Sequence, residues 1–421
     1  MTPSHAREFH RVLAAEVVSN FGGMLSRVAI PWLATLALDA SPLAMGALVV
    51  ADVAAGAVAA LFLGTLIDRT GRRAVMVLTD LLRAAVLALL AWLAYRGSLA
   101  MWMLVTASVA TGALTVAFEL ARSVWIAERT EAGLLPTRNA QLAAGASIAE
   151  TVAFALGGWL YQAVGAVVAL IVDAVSYLMS ALFLRGVAET QRPVRDANRA
   201  MPGGSALRAF ASDVRGGLAA LAATPVLRVL AMVEMLVAGA LSLSGTSYMI
   251  YVTRDVGFPT GILGMIFALG GLGSVAGAFI ATRLARRFGT PVALTAGLAL
   301  AAVGAVCVTL AAAPTLAAIA LLAAQQIVGD GGHTIYHVHD RTLRQTAVAA
   351  PLLARVDGAI RALGYASTLA GALAGGWMAT LLGARSGLVV AAMLLAVAAM
   401  VAAARLGGTM PAAVPRPDTG H

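Results

Sequence analysis

Apolar residues run in long blocks along this chain, separated by short polar breaks rich in arginine, glycine and proline. Twelve blocks reach 18 residues or more, near 12–38, 43–64, 74–95, 100–121, 139–163, 166–187, 226–252, 259–281, 291–312, 315–338, 356–382 and 386–405. As an α-helix, each such block spans the roughly 30 Å hydrocarbon layer of a bilayer. A backbone in lipid finds no water, so a span must be a helix or part of a closed barrel. The short alternating strands of a barrel are missing from the pattern. The expected fold is therefore an all-α membrane protein with twelve transmembrane helices. The first block is too long for a signal-peptide core and is expected to be retained.

Short matches recur along the chain. RVLA stands at 11–14 and 228–231, and GGW at 157–159 and 375–377. Gly165-Ala166 is matched by Gly383-Ala384, and Arg69 and Gly71 by Arg287 and Gly289, all 218 residues on. Six spans separate the counterparts, which predicts two six-helix pseudo-repeats in parallel orientation. The expected organisation is a first half over 1–187, a linker over 188–225, a second half over 226–405 and a tail over 406–421. The linker opens with a polar, Pro/Gly-rich stretch. It continues with Leu207, Phe210, Val214, Leu218 and Leu221 on one helical face, either an amphipathic helix on the membrane surface or a plain spacer.

Composition fits this picture: 60% of the 421 residues are hydrophobic and the mean hydropathy is +0.88. The net charge of +9 comes from arginine, with no lysine present. A basic soluble domain would point to nucleic acid, but these arginines lie between the apolar blocks. They cluster at the termini and in every second loop, while the opposite side has only Arg96, Arg254 and Arg385. The positive-inside bias then places both termini in the cytoplasm, with the protein expected in the bacterial cytoplasmic membrane. The single Cys307 allows no intrachain disulfide. Small residues four apart mark Gly56, Ala60 and Gly64 in the second span, and Gly145, Ala149, Ala153 and Gly157 in the fifth. Similar rows are Gly273, Gly277 and Ala281 in the eighth and Gly364, Thr368, Ala372 and Gly376 in the eleventh. Such faces allow close helix approach, here expected at the contact between halves.

The loop GTLIDRTGRR (64–73) resembles the signature loop of the major facilitator superfamily at Gly64, Asp68, Arg69, Gly71, Arg72 and Arg73. The resemblance implies a secondary transporter in which this loop is a cytoplasmic gate. Asp68 would cap the eleventh helix and pair with an arginine at the end of the fourth, for which Arg122 is the candidate. A purely topogenic role would explain the arginines but not Asp68 or the glycines. Residues 9–46, LTDLLRA (78–84) and 343–361 are similar to the branch containing the enterobactin exporter and related drug-efflux proteins. Many members carry an acidic residue where this chain has Gly22-Gly23, so a proton site cannot be transferred from them.

Charged residues inside spans are costly and mark functional candidates. Arg27 and Asp52 fall at similar depth in the first two spans, where they could pair, and Glu150 falls near the middle of the fifth. Glu16 and Glu234 occupy equivalent places near the inner ends of the first and seventh spans, while Asp173 and Glu119 are expected near interfaces. Asp52 and Glu150 are the expected proton carriers. In GDGGHTIYHVHDR (329–341) the glycines are expected to loosen the helix around Asp330. His333 and His337 share a face there, as polar lining or as weak metal candidates.

The expected function is proton-driven export of an amphipathic small molecule, a drug or siderophore-like metabolite, by alternating access. The alternatives are a lysolipid or lipid flippase-type activity, and uptake of a solute or metal chelate. No nucleophile–base set or phosphate loop marks an enzyme, and no cofactor or nucleic acid is expected. The partners are a small-molecule substrate, protons and membrane lipid, with the chain acting as a monomer.

Overall fold

The computed structural model describes residues 3–69, 71–131, 134–189, 215–348 and 350–406, and among them the chain is helical with no strand. Helix α1 (Pro3–Trp32) is prolonged by a π-helical segment, Leu33–Ala37. Then follow α2 (Pro42–Arg69), α3 (Arg72–Tyr95) and α4 (Met101–Arg129). A single rod, Leu135–Arg185, is interrupted at Gly165 (φ 78°, ψ 176°), which separates α5 from α6. Helix α7 (Pro225–Ile250) is prolonged by a π segment, Tyr251–Asp255, and is followed by α8 (Thr260–Phe288) and α9 (Thr290–Leu310). Helix α10 consists of Leu316–Ala324, a π segment Gln325–Gly329 and Asp330–Ala347. Helices α11 (Ala350–Leu382) and α12 (Ala384–Leu406) complete the twelve.

The internal repeat extends to backbone detail. The π segments Leu33–Ala37 and Tyr251–Asp255 lie 218 residues apart, as do Gly165 and Gly383, both with positive φ. The bonds Ala40 N→Ala34 O and Phe258 N→Val252 O obey the same offset. A π segment adds one residue to a turn and frees backbone carbonyls from the regular ladder. Both occurrences close the arginine-poor end of the first helix of a half.

Lipid-spanning character is uneven. Arg72–Tyr95, Met101–Ile126, Ala144–Arg185, Pro225–Asp255, Thr260–Phe288, Thr290–Leu310 and Ala384–Leu406 are long and apolar enough to cross a membrane by length and composition. Ala144–Arg185 has 42 residues, room for two crossings. Among the described residues, α1, α2, α10 and α11 are not in this set; α1 and α10 carry charged residues within their spans, and Pro42–Gly56 of α2 is a shorter apolar helix.

Across the halves, α2 lies on α11 and α5 on α8. These are the helices whose small residues pointed to such a contact, but the contacting residues are mostly others. A Cβ added at Gly158 would meet Thr260 O at 2.3 Å and Gly264 Cα at 2.9 Å. One at Gly46 would meet Ala372 O at 2.8 Å, and one at Gly376 would meet Pro42 O at 2.9 Å. Gly46 and Gly264, and Gly158 and Gly376, are repeat counterparts. Gly145 and Gly157 instead face Val17 and Leu25 of α1, while Gly273 and Gly277 face Gln326 O and Gly331 O of α10. Among the described residues of the expected rows, Gly145, Gly157, Gly273 and Gly277 thus pack within their own half, whereas Ala372 and Gly376 meet the other half.

The linker residues Leu207, Phe210 and Val214 lie outside the described residues. Residues 215–223 are helical, and Leu221 is buried in the core of the second half beside Leu227 and Leu230.

Candidate functional site

Two cavities gather most of the charged residues that the spans contain. The larger, of about 650 Å³, lies between the halves, on the arginine-rich side of the Gly158–Gly264 contact. Arg27 of α1 and Ser147, Glu150, Thr151 and Phe154 of α5 line it from the first half. Met249 of α7, Phe267 and Ser274 of α8, and Gln326, Asp330 and Thr334 of α10 line it from the second. Phe154 and Phe267 meet edge-on at 6.0 Å between ring centroids, and Tyr248, 5.8 Å from Phe267, lines a separate small cavity with Asp330 and His333. Arg27 and Glu150 are exposed to the cavity.

The second cavity, about 320 Å³, lies within the first half and shares Arg27. Asp52, Arg83, Glu119, Asp173 and Tyr177 also line it. Arg27 and Asp52, expected at similar depth, therefore line one space, but no ion pair joins them. Glu119, expected near an interface, is exposed to this cavity. Asp173 is not near solvent, being only 1% exposed.

The π segment Gln325–Gly329 directly precedes Asp330, so the helix around it is irregular without being broken. The neighbouring glycines act in packing: a Cβ at Gly304 would meet Gly329 Cα at 2.6 Å, and one at Gly297 would meet Gly332 O at 2.7 Å. His333 Nδ1 lies 3.1 Å from Gly329 O, and the His333 and His337 ring centroids are 6.5 Å apart. Among the described residues, no group of three or more histidine, cysteine or acidic side chains is arranged to hold a metal ion.

At the arginine-rich end, Glu16 of α1 pairs with Arg122 of α4. Its repeat counterpart Glu234 of α7 accepts from Tyr336 Oη at 2.8 Å and lies 3.8 Å from Arg344 of α10. Arg344 also pairs with Asp340, and with Asp357 of α11 at 3.5 Å. Arg122 thus pairs with Glu16 in this arrangement, while its expected pairing with Asp68 lies outside the described residues. The side chains of Gly64, Asp68 and Arg69 lie outside the described residues. Of the remaining loop residues, Arg72 is 3.5 Å from Glu128 of α4. The backbone N–H of Arg73 donates to Glu189 Oε1 at 3.1 Å, a carboxylate at a helix N-terminus beside Gly71.

At the arginine-poor end, the halves are tied by polar contacts that sequence reasoning missed. Arg254 of the second π segment donates to Thr35 O in the first π segment, through Nε at 3.2 Å and also through Nη2. Its Nη1 donates to Ala40 O at 3.1 Å, and it pairs with Asp39 at 2.9 Å. Gly261 N–H donates to Gln162 Oε1 at 2.9 Å. Also missed was the buried pair of Asp80 and Arg83 at 2.5 Å. Opposite charges three residues apart inside LTDLLRA (78–84), an otherwise apolar span, were the available signal.

Two six-helix halves around a shared polar cavity, joined at one end, define a membrane transporter. The Major Facilitator Superfamily profile matches residues 12–337, and the chain belongs to that family. It is a multi-pass membrane protein. No curated protein sequence matches it. Among solved structures it is similar to the nucleoside transporter NupG, with a TM-score of 0.72 at 15% identity over 96% of this chain and 99% of that one. A bacterial homologue of the human lysosomal transporter Spinster, inward-facing and unoccupied, gives 0.72 at 14% identity, covering 98% of this chain and all of that one (100%). A bacterial homologue of the iron transporter ferroportin, inward-facing, gives 0.68 at 14% identity over 95% and 98%. At these identities the likeness is one of fold.

Proposed function

We propose that the chain exports an amphipathic small molecule, a drug or siderophore-like metabolite, in exchange for protons by alternating access. The observation that carries this reading is the two-sided chemistry of the central cavity. Its aromatic side chains Phe154 and Phe267 share the cavity with Arg27, Glu150 and Asp330, and its volume of about 650 Å³ suits a drug-sized ligand. Taking the arginine-rich end as cytoplasmic, the cavity lies inward of the closed outer contacts, in the state that would collect cargo from the cell. Asp52 and Glu150, both exposed to cavity water, are the groups proposed to exchange protons with it.

Drug and siderophore susceptibility of a deletion strain would nominate the cargo. Inside-out vesicles would then be tested for uptake driven by an acid interior. Uptake abolished by a protonophore, and lost in Glu150→Gln or Asp52→Asn, is the expected result. Equal flux with and without the gradient, particularly of a lysolipid, would overturn the proton-driven reading in favour of a flippase-type activity.

A further inference from the structure

Gly22 of α1 leaves a gap in the first half that α6 fills. A Cβ at Gly22 would lie 1.8 Å from Ser176 Oγ and 2.4 Å from Asp173 Oδ1. The carboxyl group of Asp173 occupies that gap at the wall of the 320 Å³ cavity and is only 1% exposed. Its Oδ1 accepts from Ser176 Oγ at 3.2 Å, and the Ser26 hydroxyl of α1 approaches the carboxyl group without a regular hydrogen bond, which leaves Oδ2 unpartnered.

Charged groups come to this cavity and its wall from every helix around it, and Arg83 is the one that acts on Asp173 directly. Helix α3 brings Asp80 and Arg83, α1 Arg27, α2 Asp52 and α4 Glu119, while α6 itself adds Tyr177. Arg83 is already engaged. It pairs with Asp80, whose second oxygen accepts from Ser180 Oγ at 2.6 Å. Its guanidinium lies 4.8 Å from the Phe118 ring centroid and 4.3 Å from that of Tyr177. Four carboxyl groups thus share the region with two guanidinium groups. Asp52 and Glu119 are exposed to cavity water and Asp80 has its arginine. Asp173 is the one that is buried, has a free oxygen and has no cation in contact. A bare carboxylate is poorly tolerated in such a place, whereas a neutral carboxyl group is readily accommodated.

We propose that Asp173 is a proton-binding site of the transport cycle. This rests on the proton-driven reading above and adds the place where the proton is held. In the arrangement seen here Asp173 carries the proton as a neutral carboxyl group. Release breaks its O–H bond and passes the proton to cavity water, leaving a carboxylate and a hydronium ion that leaves past Asp52 and Glu119. The new anion lies one helical turn from Tyr177, across which Arg83 can be shared between Asp80 and Asp173. Asp52 and Glu150 then exchange protons with bulk water, and Asp173 is the buried store.

Infrared difference spectroscopy of the purified full chain in detergent, titrated with pH, tests this without knowledge of the cargo. The wild type is expected to show the carbonyl stretch of a neutral carboxyl group shielded from water, disappearing at alkaline pH. Asp173→Asn should lose that band and Glu119→Gln should keep it. A wild type without the band, or a band that survives in folded Asp173→Asn, would overturn the assignment. If Asp173→Asn does not fold, Asp173→Glu must shift the frequency and midpoint of the band, and an unchanged band would equally sink the proposal. Gradient-independent transport in vesicles would defeat the proton-driven reading, whereas the band reports on Asp173 alone.

Discussion

Arg254 reaches from the π segment of one half to the carbonyl of Thr35 in the π segment of the other. The two segments are repeat counterparts, so the same local irregularity supplies the donor on one side and the free acceptor on the other. A π turn is an economical way to make such a clasp, because it exposes a carbonyl without ending the helix.

The clasp predicts unequal effects at its members. Arg254→Ala should shift the protein toward a state open at the arginine-poor end, and Arg254→Lys should do so in part, since an ammonium cannot reproduce the guanidinium fork. Asp39 is 94% exposed on its side chain, so Asp39→Asn should change little. Spin labels at the exposed Ser98 and Ala313, in a Cys307→Ser background, would report the separation of the halves at that end. Equal shifts for Asp39→Asn and Arg254→Ala would refute the ranking.

Glycine contacts give a second, steric prediction. In Gly158→Ala the new methyl group would meet Thr260 O at 2.3 Å, and the obstructing atoms are backbone. Overpacking of this kind costs about 1–3 kcal/mol, and here the cost falls on the closed arginine-poor end alone. The same spin-label pair should show a larger open fraction with little loss of folded protein. Gly157→Ala, whose methyl group would meet the movable Leu25 Cδ2 at 3.0 Å, should be mild.

These two neighbours show how far the sequence can be read. Block lengths fixed the twelve helices, and the recurrence of GGW fixed the repeat, because both depend on composition and order alone. Which glycine of each GGW faces the other half depends on helix rotation, and a row of small residues four apart cannot reveal it. Gly157 belongs to such a row and faces α1, while Gly158 does not and meets α8. Arg254 was legible only as a topological charge, since its partners across the halves include the carbonyls of Thr35 and Ala40, which carry no residue signature. Asp173 was misplaced because depth along a span does not disclose that a glycine on another helix makes room for it.

At the arginine-rich end, Arg344 holds three carboxylates, of which Asp340 is 1% exposed on its side chain. Arg344→Ala strands that carboxylate, and loss of one partner of a buried pair costs about 3–5 kcal/mol. A clear drop in the detergent unfolding temperature is expected. Adding Asp340→Ala should recover part of it, since the stranded charge is then gone. A double variant less stable than Arg344→Ala alone would show that the pair is not the source of the loss.

Arg122 offers the last prediction, because two carboxylates compete for it. In the structure it belongs to Glu16, whereas resemblance to the family's signature loop gives it to Asp68 when the cytoplasmic side closes. Removing either competitor should then move the equilibrium in opposite directions. Glu16→Gln frees Arg122 for Asp68 and should raise the population closed at the arginine-rich end. Asp68→Asn should leave Arg122 with Glu16, hold that end open and cut transport strongly while the protein still reaches the membrane. The Ser98–Ala313 label pair reads both shifts, as a longer separation for Glu16→Gln and a shorter or unchanged one for Asp68→Asn. Shifts of the same sign, or normal transport by well-expressed Asp68→Asn, would remove Asp68 from the gate and leave the loop's arginines with a topological role only.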